Sequence, residues 1–345
     1  MTVWPWPPGS ATSIGSLPGT DIAEAVKLVL GELPAMPHLP ELPDRGPGAD
    51  LIGRGAGFLV GIPVELYAGR WRVASHSGQD LRRTHDLMAR DLDALTGAAN
   101  GYTGVLKVQA PGPWTLAARL DLPIGGRLLH DHGAVQDLAQ SLAEGLKAHV
   151  ADVARRIPGA SVLLQVDEPS VPAVLAGRVP TESGLRTLRS VAASTVESAL
   201  RDLISAAGVP VIVHCCAAQP PLRLFRDAGA SAVAVDLALI DSATTAQDEL
   251  GELIDGGVGL LAGVVPTTGT RSPSSTSAAD AVNRSPSSTN AADAVTSLWL
   301  RLGFPLEQAA AQVVVTPACG LAGATPDYAR AALVACVEAG RRLQV

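Results

Sequence analysis

The chain has no excess of basic charge. Lys and Arg number 26 against 33 Asp and Glu, for a formal net charge of -7. No local basic patch offsets this, so nucleic acid is not expected as a partner. No apolar run approaches the roughly 18 residues that a membrane-spanning helix needs. The first residues, Met1-Thr2-Val3-Trp4-Pro5-Trp6-Pro7-Pro8, lack the basic and apolar regions of a secretory signal, so a cytoplasmic protein with no membrane partner is expected. Cysteine is sparse, four in 345 residues, which is no disulfide framework; the adjacent pair Cys215-Cys216 suits a reducing compartment. A Gly-rich dinucleotide fingerprint is also missing, because Gly15-Ser16-Leu17-Pro18-Gly19 has the wrong spacing. What remains is 47% hydrophobic and only 17% charged, the composition of a globular chain with a large core.

The apolar pattern alternates between short β-branched runs and longer stretches of helical period. Strands are expected at 11–18, 105–110, 161–166, 209–213, 231–235, 258–265 and 313–316, with an eighth near 35–42, where Pro34, Pro37, Pro40 and Pro43 limit it to a short piece. Helices are expected at 21–30, with Thr20 as N-cap, and at 80–95, 132–157, 184–207, 221–228, 247–254, 291–302 and 327–343. Residues 58–74 read as a hairpin around Ala68-Gly69-Arg70. Strand–helix alternation implies parallel strands joined by crossover helices. The expected fold is α/β: a single (βα)8 TIM-barrel domain over 1–345, with an inserted hairpin in its N-terminal third. An open doubly wound sheet is the alternative.

In a barrel, sites are built where the strands end at the carboxyl face. The run Val209-Pro210-Val211-Ile212-Val213 ends in His214-Cys215-Cys216, an imidazole and two thiols that suit borderline metals. In extended chain, His214 and Cys216 point one way and Cys215 the other, so Cys216 is the ligand candidate and Cys215 a packing residue. The last strand leads to Pro317-Ala318-Cys319-Gly320, and the strand at 231–235 leads to Asp236. His214, Cys216, Cys319 and Asp236 together make a candidate Zn2+ site, although Asp236 also reads as a cap for the segment after it. Asp167 and Glu168 end another strand; Asp167 is a candidate catalytic and ammonium-binding carboxylate, and Glu168 reads better as a cap. Glu41 is a second candidate for the ammonium. Ser16 and neighbouring backbone N–H groups such as that of Ile14 are candidates for a carboxylate.

These residues resemble the catalytic, C-terminal domain of cobalamin-independent methionine synthase, which shares a barrel superfamily with uroporphyrinogen decarboxylase. The matching pieces are Ser13-Ile14-Gly15-Ser16-Leu17-Pro18, Gln165-Val166-Asp167-Glu168-Pro169, His214-x-Cys216 and Pro317-x-Cys319-Gly320-Leu321, in the family's order. The resemblance implies that His214, Cys216 and Cys319 bind zinc, and that Asp167 and Ser16 lie where homocysteine's amino and carboxylate groups are held. It implies a methyltransferase that activates a small-molecule thiol and forms methionine. Three departures stand out. Asp236 replaces the family's glutamate ligand, one methylene shorter. The loop Gly263-Val264-Val265-Pro266-Thr267 lacks the family's histidine. The N-terminal half of the full-length synthase has no counterpart, as in the short "core" members. The methyl donor is thus left between folate and a methylated corrinoid protein. Two other readings are a decarboxylase-like enzyme, for which Arg54, Arg70 and Arg72 would supply a basic mouth, and a barrel that binds zinc or a thiol without turnover.

One repeat interrupts the pattern. Residues 271–283, RSPSSTSAADAVN, recur as 284–296, RSPSSTNAADAVT, with two differences. A single duplication of this kind is expected to be a surface-loop insertion at 271–296, since a solenoid needs several stacked repeats. Deleting Ser272–Arg284 is therefore expected to leave fold and activity unchanged. Soluble yield and thermal melting of the deletion variant check this, and insoluble expression would contradict it.

Overall fold

Two short strands, β1 (Val64–Tyr67) and β2 (Arg70–Val73), form an antiparallel hairpin beside the main sheet, at the place expected for the insertion. Its turn runs through Ala68 and Gly69, both at positive φ. A computed structural model describes residues 4–240, 244–268 and 286–344. The main sheet is parallel, six-stranded and in sequence order: β3 (Gly104–Pro111), β4 (Ala160–Asp167), β5 (Val211–Cys215), β6 (Ala232–Asp236), β7 (Gly259–Val265) and β8 (Val313–Pro317). The crossovers are mostly helical, as parallel neighbours require.

The sheet curls, and the alternation of its side chains shows it. Val105, Leu163, Ile212, Ala232, Ala234, Leu261 and Val314 meet in one inner cluster with Ile14 and Met36. Leu106, Leu164, Val211, Val213, Val233 and Leu260 face a different, outer cluster shared with the helices. Trp6 packs into the inner cluster and donates its indole N–H to the Ala311 carbonyl at 3.2 Å, so it seats against the inner face of the sheet.

The eight regular strands expected from sequence are not all present among the described residues. The segments at 11–18 and 35–42 contribute isolated parallel bridges: Ala11 to Val315 on one edge of the sheet, His38 to Lys107 on the other, and Ser16 to Glu41 between them. Proline supplies no N–H to a ladder, and four prolines fall between 34 and 43, so the segment at 35–42 pairs only at isolated points. The structure thus shows an α/β fold with a curled six-stranded sheet flanked by two bridging segments.

Two further expectations are corrected. The helix expected over 184–207 forms only over Ala193–Ala207. Residues before it turn back on themselves, with Thr181 N–H on the Arg186 carbonyl and Leu188 N–H on the Val179 carbonyl; these bonds hold the backbone out of a helix. The first helix, Ile22–Glu32, is capped by Asp21 rather than Thr20, its carboxylate accepting from Ala23 and Glu24 N–H. The second copy of the repeat enters the helix Ser288–Leu302, whereas the first copy lies outside the described residues. No described helix is long and apolar enough to cross a membrane.

The long helix His132–Arg156 presses through a glycine on Phe58, the residue that follows the short helix Leu51–Gly57. A Cβ at Gly145 would fall on the Phe58 carbonyl oxygen, a backbone atom that cannot rotate away. The clash outweighs the helix-propensity gain of about 1 kcal/mol that alanine brings. Gly145→Ala is therefore expected to destabilise by about 1–3 kcal/mol. A melting temperature equal to or above wild type would contradict the close packing.

Candidate metal centre and substrate pocket

β4 and β5 end side by side. Asp167 and His214 are partners in the parallel register, both inward-facing and both buried. His214 Nδ1 lies 2.7 Å from Asp167 Oδ1, and the Gln165 amide donates to the same oxygen at 2.7 Å. A carboxylate accepts only, so the bond places a proton on Nδ1. The far nitrogen, Nε2, is buried and has no hydrogen-bond partner.

The two thiols come to that orphan nitrogen. Cys215 faces outward, fully buried in the helical layer, and Cys216 follows on the inner side, as the strand period requires. Cys319 arrives on the turn after β8. That turn is tied down by Ala318 N–H on the Val265 carbonyl at 2.8 Å and Leu321 N–H on the Ser16 carbonyl at 2.8 Å. Gly320 packs closely there, since a Cβ would fall on the Ser16 hydroxyl and displace it. The ligand atoms of His214, Cys216 and Cys319 all lie within 4.8 Å of one another. A tetrahedral zinc ion with 2.0–2.3 Å bonds would space them at roughly 3.3–3.8 Å. The donor set, one imidazole nitrogen and two sulfurs, and the unpartnered Nε2 both fit such an ion, and the carboxylate behind the imidazole is the usual companion of a metal-bound histidine.

Asp236 stands outside this group. Its carboxylate accepts from Ala238 N–H at 2.9 Å and so caps the turn after β6, and burial pushes its carboxyl above the usual range. Glu168 serves as a cap, though for a distant helix. It is fully buried and accepts from Trp114 N–H, Thr115 N–H and the Thr115 hydroxyl at 2.7–2.9 Å, at the start of the helix Pro113–Arg119.

Protonation follows from this crowding. Cys216 donates to Cys319, and that bond outweighs burial and, with His214, pulls the Cys319 thiol down to about 4. The same bond and burial push Cys216 up. Burial opposes charge on His214, but Asp167 and the Cys319 thiolate prevail and raise it to about 9. Burial, aided by the charges of Glu168 and Cys319, pushes the Cys215 thiol up to about 12, and burial alone pushes Cys336 up.

A pocket of about 240 Å³ opens over the thiols, lined by Ile14, Ser16, Glu41, Asp167, His214 and Cys319 among others. Ser16 and Glu41 are held together by Leu17 N–H on the Glu41 carbonyl and Glu41 N–H on the Gly15 carbonyl. Beneath them lies a polar layer that the sequence reading did not pick out. Lys107 is fully buried, and its ammonium donates to the Ile14 carbonyl at 2.9 Å, where the Gln165 amide also donates at 2.8 Å. Burial lowers Lys107 to about 8 against the pull of Asp167 and Glu41. The signal was available: Val105, Lys107 and Gln109 share the inward face of an otherwise apolar strand.

The arginines that a basic, decarboxylase-like mouth would need are committed elsewhere. Arg54 is buried between Glu41 and Asp91, Arg70 pairs with Asp121 and Glu182, and Arg72 pairs with Glu65.

One family description, "Cobalamin-independent synthase, Catalytic domain", matches residues 10–342. The chain belongs to that family. A solved B12-independent methionine synthase from Shewanella sp. W3-18-1, in complex with selenomethionine, is similar in fold at 13% identity and a TM-score of 0.60, over 98% of each chain. The Amycolatopsis orientalis BexX/CysO complex matches 98% of this chain and 90% of its own at 11% identity, with a TM-score of 0.36, too low to carry an argument. Among curated proteins, none matches the chain in sequence. Family membership corrects one expectation: a cobalamin-independent synthase transfers its methyl group without a corrinoid carrier, so a corrinoid protein is dropped as donor.

The thiol ordering is open to test. In metal-free protein the bonds from Cys216 and His214 favour the Cys319 thiolate, whereas burial keeps Cys215 a neutral thiol. Iodoacetamide at about pH 6 should therefore alkylate Cys319 first, since the thiolate is the reactive form. Peptide mass mapping reads the order, and faster modification of Cys215 would refute it.

Proposed function

We propose that the protein is a zinc-dependent thiol S-methyltransferase that makes methionine from homocysteine. The observation that carries this reading is the convergence of His214, Cys216 and Cys319 within 4.8 Å, beneath a pocket that also presents two carboxylates. Membership of the cobalamin-independent synthase family supports it. The selenomethionine bound in the Shewanella protein is an analogue of the proposed product.

Zinc held by these three residues would supply the positive charge that keeps the substrate sulfur a thiolate at neutral pH. The chain's own residues do the rest. Asp167 keeps the Nδ1 proton on His214 and so aims Nε2 at the thiols. His214, Cys216 and Cys319 would be the ligands of that ion, which would serve to activate the substrate sulfur, while Asp236 stays on its cap. Asp167 and Glu41, both lining the pocket, take the substrate ammonium, and Ser16 with the backbone N–H of Ile14 takes its carboxylate. Holding both ends fixes the sulfur and leaves one line of approach for the methyl group. The 240 Å³ pocket suits the amino acid alone. A reduced methylfolate, the donor that the family implies, would approach from the neighbouring cavity of about 810 Å³, whose wall includes Asp236, Gly263 and Ala318.

The purified protein is expected to carry about one zinc per chain, as a three-ligand site predicts. Cys319→Ser and His214→Ala should lose it, and Cys215→Ala should retain it. Elemental analysis reads the metal, and methionine formation from homocysteine and methyltetrahydrofolate reads the activity. Full zinc content in both ligand variants would refute the site.

A further inference from the structure

A line of buried charge runs behind Glu41. Arg54, on the helix Leu51–Gly57, has its side chain only 2% exposed. Its Nε lies 3.2 Å from Glu41 Oε1, and its Nη1 donates to Asp91 Oδ2 at 2.7 Å. Asp91, on the helix Gln79–Ala98, is fully buried and is gripped on both oxygens by Arg45 at 2.6 and 2.8 Å. Three separate elements thus supply a chain of alternating sign, Arg45–Asp91–Arg54–Glu41, that ends at the pocket.

Such a chain is costly to bury, and well-packed apolar residues would hold the same helices at least as well. Its geometry accounts for its presence. Arg54 engages Oε1 of Glu41, and Glu41 lines the pocket together with Asp167. Two buried carboxylates facing one small pocket repel each other, and burial disfavours their charged forms. Burial pushes the Glu41 carboxyl above its usual range, and the fixed Arg54 cation behind it opposes that rise and holds the carboxylate in place. The planar guanidinium suits this task, because Asp91 fixes its orientation and it cannot lose its proton.

We propose that Arg54 is a positioning residue, anchored by Asp91 and Arg45, that holds Glu41 as one jaw of an ammonium clamp and so makes the pocket select thiols and thioethers bearing a free α-amino group. The inference rests on the proposed function, since the clamp is useful only if an amino acid enters the pocket.

Two ligands that differ only in the amino group separate selectivity from general damage: methionine and 4-(methylthio)butanoate, its des-amino form. Calorimetric binding is measured on zinc-loaded wild type, Arg54→Met, Arg54→Lys and Asp91→Asn, with zinc content and circular dichroism as controls. Wild type should prefer methionine by at least about tenfold, the scale of a buried charge-assisted pair. Arg54→Met should bring the preference below about threefold by weakening methionine alone, and Arg54→Lys should restore part of it. Asp91→Asn, which touches neither ligand nor metal, should shift the preference in the same direction and gives the answer if Arg54→Met does not fold. Equal weakening of both ligands, or an unchanged preference in the variants, would overturn the role of Arg54. Binding of neither ligand by wild type would instead overturn the proposed function.

Discussion

The hydrogen bond between Asp167 and His214 is the contact on which the site depends. It fixes which imidazole nitrogen bears the proton, and therefore which one meets the thiols. The two residues face each other because β4 and β5 pair in one register, in which Asp167 and His214 are direct partners. A slip of β5 by one residue would turn His214 to the outer layer, where helices pack, and away from Asp167. The metal centre is thus a consequence of strand register, and the apolar residues that lock that register, Leu163 and Ile212 among them, belong to the site's support as much as to the core.

Along the axis of the sheet, polarity rises in steps. Trp6, Met36, Val105, Leu163 and Val314 lie in an apolar cluster. Above it, Lys107, Gln109 and Gln165 are wholly buried and aim their polar atoms at the Ile14 and Leu39 carbonyls. Above them come Asp167, His214 and the thiols. Each layer positions the next: the amides and the ammonium pin the Ile14–Ser16 segment, and that segment, through the Ser16 carbonyl, pins the turn that carries Cys319. The cations Lys107 and Arg54 balance Glu41 and Asp167, two carboxylates that would repel each other in a dry pocket.

Neighbouring residues on one strand end do different work because a strand alternates its faces. Asp167 points inward to the histidine, while Glu168 points outward and collects three donors at the start of Pro113–Arg119. Cys216 and Cys215 divide in the same way, one toward the metal position and one into the helical layer. The period of two lets a short motif carry a reactive group and a structural one side by side.

Sequence alone carried the order of strands and helices, the parallel crossovers, the hairpin insertion, and the inward pair His214 and Cys216. These follow from local periodicity, which acts over a few residues and survives without knowledge of the whole. It also named Ser16, Asp167 and Cys319 within one motif pattern and Glu41, apart from that pattern, as a second ammonium candidate; the four line one pocket. It did not show that the segments at 11–18 and 35–42 meet the sheet only at single bridges, nor that residues 184–192 turn back instead of extending a helix, because those outcomes turn on hydrogen bonds between segments. Only the tertiary structure brought Arg54 behind Glu41, placed Lys107 under Ile14 and turned Asp236 to its cap. Burial and charge pairing depend on which distant side chains arrive at the same point, and no spacing within a strand or helix encodes that arrival.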